Sequence, residues 1–151
     1  LNKKELVISK KQIEISLKDI KDNVFDALII RTLPNTIQKK YKDYMQTSPA
    51  FFTIEAMEYI VNIGIKHLLV DTPSVDRLFD DGVLSAHNIF WETSEKILNN
   101  VAISKTITEM VFIPDEVEDG NYLLNLQIAP FFADAAPSRP ILYKINDLQK
   151  K

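Results

Sequence analysis

Three features of the sequence predict an α/β fold. Thr53 to Ile63 carries Ile54, Met57, Ile60, Val61 and Ile63 at helical spacing and runs, through Gly64, into the apolar stretch Lys66 to Val70. A helix that leads directly into an apolar strand is the signature of an α/β layer. Ala27-Leu28-Ile29-Ile30 is short, continuous and rich in β-branched residues, as a strand buried on both faces requires. Lys105 to Ile113, Tyr122 to Ala129 and Ile141 to Ile145 add three strand-like segments in the second half.

The elements can be justified in order. The first nine residues are rich in charge and are expected to fray or to lead in from an earlier element. Ser16 to Lys21 reads as a short helix, with the Ser16 hydroxyl as acceptor for an orphan amide. After the strand at 27–30, Pro34 interrupts the chain. Asn35 to Tyr44 then reads as a helix or a loop-like excursion, with Lys39, Lys40 and Lys42 on a solvated face. Thr53 caps the next helix, and Gly64 stands where a left-handed C-terminal residue is expected. Asp71 closes the strand that follows. The loop after the carboxyl end of such a strand is a frequent ligand site, and Asp71 and Ser74 occupy it. Asp76 to Ser85 is polar and aperiodic, a loop with the acidic pair Asp80 and Asp81. Thr93 to Asn100 reads as a short helix capped by Thr93. Asp119-Gly120 supplies a turn, so the strands at 105–113 and 122–129 are expected to form an antiparallel hairpin.

Composition narrows the function. The 151 residues are 46% apolar and 26% charged, enough for a single globular domain with a real core. A net charge of −3 argues against a nucleic-acid or anionic-membrane surface. No apolar run approaches the roughly 20 residues that span a bilayer. No signal-peptide pattern is visible, and a cytoplasmic location is expected, although the sequence begins at Leu1 and targeting information can precede it. There are no cysteines and only three glycines, which excludes disulfides and thiolate metal sites and disfavours phosphate-cradling loops. A catalytic zinc normally takes three protein ligands, mostly His with an acid. This sequence has two histidines and no His-x-x-x-His or His-Glu-x-x-His stretch.

Taken singly, the candidate residues are ambiguous. A carboxylate on a strand is costly to bury without a partner, so Glu109 is either a solvent-facing strand residue or a group with a partner. His87 is either a surface histidine or a ligand. His67, on the neighbouring strand, reads as a packed or edge histidine. Asp71 could cap the next turn, and Pro73 fixes the loop. Arg139 could pair with Asp134 across a loop stiffened by Pro137 and Pro140.

Four segments, taken in order, carry more. They are Val70-Asp71-Thr72-Pro73-Ser74-Val75-Asp76, Ala86-His87-Asn88, Thr106-Ile107-Thr108-Glu109-Met110 and Asp134-Ala135-Ala136-Pro137-Ser138-Arg139-Pro140. The set resembles the C-terminal half of the cyclase-like metal-dependent hydrolases, the family that includes bacterial kynurenine formamidases. The resemblance spans about residues 24 to 146 and is strongest after Leu69. It implies a swivelling β/β/α architecture, a mixed and partly closed β-barrel with outer helices, of which residues 1–151 form the C-terminal part. It implies a small-molecule amide or cyclic amide or ester substrate, hydrolysed by water on a divalent metal, zinc or manganese. By the resemblance Glu109 is a metal ligand, and His87 is a second ligand or the acid/base group beside the metal water. Asp71 and Ser74 line the substrate side or hold neighbouring loops, and Asp134 and Arg139 stand near the pocket. The family's main metal motif, His-x-Gly-Thr-His-x-Asp, is absent from this sequence. Most ligands are therefore expected upstream of Leu1, in the same enzyme or on a separate chain, and a homo-oligomer is expected. The alternative is a non-catalytic binding or assembly module that keeps the fold.

Overall fold

The computed structural model describes residues 5–20, 25–93, 97 and 99–145. The chain forms two compact units, Leu1–Ile113 and Pro114–Lys151.

In the first unit, strands β2 (Ala27–Ile30), β4 (His67–Val70) and β5 (Thr106–Thr108) make a parallel sheet in the order β2-β4-β5. The register pairs Ile30 with Val70 and Leu69 with Thr108, so all three strands end at one edge. Strand β4 is central, and its Leu68, Leu69 and Val70 are fully buried. That burial explains its continuous apolar sequence, because both faces are covered. A second parallel pair joins β1 (Val7–Ile8) to β3 (Phe51–Phe52).

Helix α2 (Ile54–Asn62) starts where the sequence says it should. The Thr53 hydroxyl accepts the Ala56 amide at 3.2 Å. Ala56, Met57 and Ile60 face the core, and Gly64 takes φ +86° just past the end. The helix packs against α1 (Lys10–Leu17) and α3 (Ser85–Phe90). Ile13, Phe52, Met57, Ile60, Ile65, Leu68 and Phe90 belong to one core cluster.

The second unit is built on an antiparallel hairpin, β6 (Tyr122–Ile128) with β7 (Ser138–Lys144). Directly opposed residues share a face. Leu124 with Leu142 and Leu126 with Pro140 therefore make one face apolar, whereas Asn125 and Gln127 lie on the other.

Several expectations need correction. Helix α1 begins at Lys10 after Ser9, and Ser16 lies inside its last turn rather than capping a helix. Gln12 Oε1 reaches back to the Ser9 amide at 2.7 Å and to its hydroxyl at 2.8 Å, part of the reciprocal pattern that starts helices. Residues 7–8 do not fray, because β3 pairs with them and Ile8 is buried. The segment 35–44 holds a short 3-10 turn, Ile37–Tyr41, and ends where a second, Tyr44–Gln46, begins. The expected hairpin partner is also different. Strand β5 is only three residues long and pairs in parallel with β4, while β6 pairs with β7. Of the stretch Thr93–Asn100, read as a helix, residues 94–96 and 98 lie outside the described residues, and Asn99 and Asn100 open a 3-10 turn, Asn100–Ala102. Among the described residues the strands form three small sheets, and no closed barrel is seen.

Because β4 is buried on both faces, Leu68→Ala should cost about 2–5 kcal/mol. Urea denaturation followed by circular dichroism checks this, and a loss under 1 kcal/mol would show that β4 is not the core strand.

Candidate active site

The carboxyl edge of the parallel sheet gathers the candidate residues of the first unit. The 71–76 segment leaves β4 and is locked to the chain after β5. The Met110 amide donates to the Thr72 carbonyl at 3.0 Å, and the Val111 amide donates to the Val70 carbonyl at 3.0 Å. Within the segment, the Thr72 hydroxyl donates to the Ser74 carbonyl at 2.9 Å, and the Asp76 amide donates to Ser74 Oγ at 3.1 Å. The Val75 carbonyl accepts the Phe52 amide at 2.9 Å.

Asp71 stands at the start of this segment with its side chain only 2% exposed. Its Oδ2 accepts the Thr32 amide at 2.9 Å, and its Oδ1 accepts the Thr32 hydroxyl at 3.0 Å. Lys39 Nζ completes its partners at 2.6 Å. Lys39 is thus not on a solvated face, because its side chain is 14% exposed and turned inward onto this carboxylate. Lys40 does stay exposed, with its ammonium 4.5 Å from the centre of the Phe112 ring.

Asp76 ends the segment and meets the start of α3. One oxygen accepts the Ala86 amide at 2.6 Å. The other takes the His87 amide at 3.2 Å and His87 Nδ1 at 2.6 Å. The N-terminal amides of a helix have no intrahelical acceptor, so a carboxylate is well placed there. His87 lies in α3. Its Nε2 stands 3.5 Å from Glu109 Oε1. Glu109 directly follows β5, and the same Oε1 accepts the Val75 amide at 2.9 Å. The Trp91 ring lies 5.4 Å from the His87 ring, and its Nε1 donates to the Lys105 carbonyl at 3.0 Å.

The electrostatics follow from this geometry. Burial pushes the Asp76 carboxyl up, but the hydrogen bonds from His87 and from the two α3 amides outweigh it and hold the group below its usual range. Burial pulls the His87 imidazole down. The Asp76 hydrogen bond and the charges of Glu109, Asp76 and Asp80 more than offset it, so His87 titrates above its usual value. Glu109 is raised, first by burial, against the Val75 amide and the His87 charge. With Asp76 ionised, Nδ1 carries the proton toward it, and Nε2 is the nitrogen left for a metal or a moving proton.

Two non-glycine residues beside these groups take left-handed backbone, Leu84 at φ +49° and Met110 at φ +59°. Such a conformation costs roughly 1–2 kcal/mol per residue, and strain of this kind clusters at functional sites.

Asp71, Ser74, His87 and Glu109 therefore come together at one edge. His67 sits at the opposite end of β4, bonded through Nδ1 to the Thr106 hydroxyl at 2.9 Å. Asp134 and Arg139 belong to the second unit, and both are exposed. No ion pair joins them among the described residues. Arg139 lies within β7 opposite Gln127, and Asp134 lies in the connection before that strand. The sequence reading missed Asp76 as a site residue, although it stands in the same quoted segment. Among the described residues no group of three His, Cys, Asp or Glu side chains is arranged to hold a metal ion. No helix there is long and apolar enough to cross a membrane.

Comparison with known proteins gives a consistent family. A family model described as "Putative cyclase" matches residues 2–77, which include the whole 71–76 segment. The kynurenine formamidase of Bacillus cytotoxicus is 31% identical over 118 residues, 78% of this chain and 49% of the relative. That of Bordetella avium is 25% identical over 117 residues, 77% of this chain and 50% of the relative. The chain thus spans about half the length of the curated relatives it matches. Two solved structures share the fold. "The structure of predicted metal-dependent hydrolase from Bacillus stearothermophilus" aligns with a TM-score of 0.59 at 18% identity, over 90% of this chain and 56% of that one. "The Structure Of Potential Metal-Dependent Hydrolase With Cyclase Activity" aligns with a TM-score of 0.60 at 19% identity, over 92% and 59%.

Asp76→Asn removes the anionic acceptor that raises His87, so the His87 pKa should fall. Titration of the His87 ring protons by NMR reads this directly, and an unchanged midpoint would exclude Asp76 as its partner.

Proposed function

This chain belongs to the cyclase family, and we propose that it supplies one side of a metal-dependent hydrolase site acting on an amide or a cyclic amide or ester. One observation carries the reading: His87 is held between two carboxylates, Asp76 on Nδ1 and Glu109 beside Nε2. A carboxylate on the far nitrogen is the arrangement that orients a metal-binding histidine and fixes its tautomer. The donor chemistry fits, since an imidazole nitrogen and a carboxylate suit zinc or manganese.

In this reading Glu109 is a metal ligand, positioned by the Val75 amide. His87 either ligates through Nε2 or moves a proton at that atom. A divalent metal, when bound, supplies a water of lowered pKa and polarises the carbonyl to be attacked. Asp76 holds the ring and stabilises its charged form. The 71–76 segment shapes the substrate side, with Ser74 and Asp71 holding its course. The further ligands come from polypeptide outside these 151 residues, upstream or on a separate chain, and the barrel of the swivelling β/β/α architecture is completed there. These 151 residues alone are then expected to be inactive. Asp134 and Arg139 are assigned to the neighbourhood of the pocket by their resemblance to the family loop, and the assembled enzyme is expected to be a homo-oligomer. The relatives' activity makes N-formylkynurenine the first amide to assay.

Glu109→Gln in the complete protein should lower metal content and hydrolysis together, each by at least about tenfold. Lys40→Gln should change neither. Metal analysis of the purified variants and a formamide assay check both, and full occupancy with full activity in Glu109→Gln would remove Glu109 from the site.

A further inference from the structure

Lys39 lies far from the His87 and Glu109 side chains in sequence, and nothing in its own segment calls for a buried amine. Yet its ammonium is nearly enclosed by oxygens. Besides Asp71 Oδ2 it reaches the Thr32 carbonyl, the Thr32 hydroxyl at 3.1 Å and Asn35 Oδ1 at 3.3 Å. Asn35 in turn donates from Nδ2 to the Ile113 carbonyl at 2.9 Å. The cluster therefore joins the chain after β2, the chain after β4 and the chain after β5. Those are the three connections that leave the carboxyl edge of the sheet.

The link to the site runs through a short covalent path. Asp71 begins the segment whose Val75 amide holds Glu109 and whose Asp76 carboxylate holds His87. A buried ion pair of this kind adds little net stability, because desolvation offsets the attraction. Its geometric effect is another matter. The pair fixes one end of a six-residue segment, and the other end carries both contacts that orient the candidate chemistry. Resting on the hydrolase reading above, we infer that Lys39 is a positioning residue, which through its ion pair with Asp71 sets the course of residues 71–76 and so the placement of Glu109 and His87.

The test uses two variants of the complete protein. Lys39→Met removes the strut but leaves the Asp71 carboxylate buried without its cation. Lys39→Met with Asp71→Asn removes both charges, which is often neutral for folding, and still lacks the strut. The readouts are hydrogen exchange at the Val75 amide and the kinetics of N-formylkynurenine hydrolysis. In each variant that folds, Val75 should exchange at least about tenfold faster, and kcat should fall about 10–100-fold with KM changed less than about threefold. If Lys39→Met alone does not fold, the double variant decides. A folded variant with wild-type Val75 exchange and wild-type kcat overturns the inference, since Lys39 would then only neutralise a buried acid. The exchange measurement does not depend on activity. If the wild-type protein hydrolyses neither amide nor ester, the hydrolase reading fails while the exchange result still decides the role of Lys39.

Discussion

A carboxylate taken out of water needs partners, and the carboxyl edge of the β2-β4-β5 sheet is organised around two that have them. Asp71 is satisfied by Thr32 and Lys39, and Asp76 by the first amides of α3 and the His87 ring. The two acids are the first and last residues of a six-residue segment, 71–76. Moving either acid would strand buried donors as well as the acid itself. The two sets of bonds therefore fix where the chain enters α3 and where it passes Glu109.

The layers beneath make that arrangement possible. Strand β4 is buried on both faces, so its register against β2 and β5 is held by packing as well as by the ladder. The register in turn puts the ends of three strands at one edge, where polar loops can converge without leaving the core exposed. Parallel strands recurrently place ligand sites there. Here the edge holds an oriented imidazole with one nitrogen facing a raised carboxylate.

Much of this was legible in the sequence where local signals and packing agree. The Thr53 cap, the helical spacing of α2 and Gly64 past its end all point the same way, and β2 was readable from four β-branched or apolar residues. The start of α1 was misread because Ser16 looked like a cap, whereas Ser9 and Gln12 form the stronger pair only when their reciprocal contact is considered. The hairpin was misassigned because Asp119-Gly120 is a good turn signal, while the choice of β4 as the partner of β5 is non-local. Only family likeness singles out His87 and Glu109 as candidates, since no local pattern joins them, and the fold brings the two side chains within 3.5 Å. Asp76 and Lys39 stayed hidden for a related reason. An acid at the end of a loop and a lysine among lysines look solvated until the fold brings a histidine to one and a buried carboxylate to the other.

The most direct test is a crystal structure of the complete protein grown with zinc or manganese, with the metal located by its anomalous signal. The expected result is a metal about 2.0–2.2 Å from a Glu109 oxygen, with His87 Nε2 either on the metal or facing its water and Nδ1 still on Asp76. A metal bound elsewhere, with Glu109 and His87 only contacting each other, would contradict it.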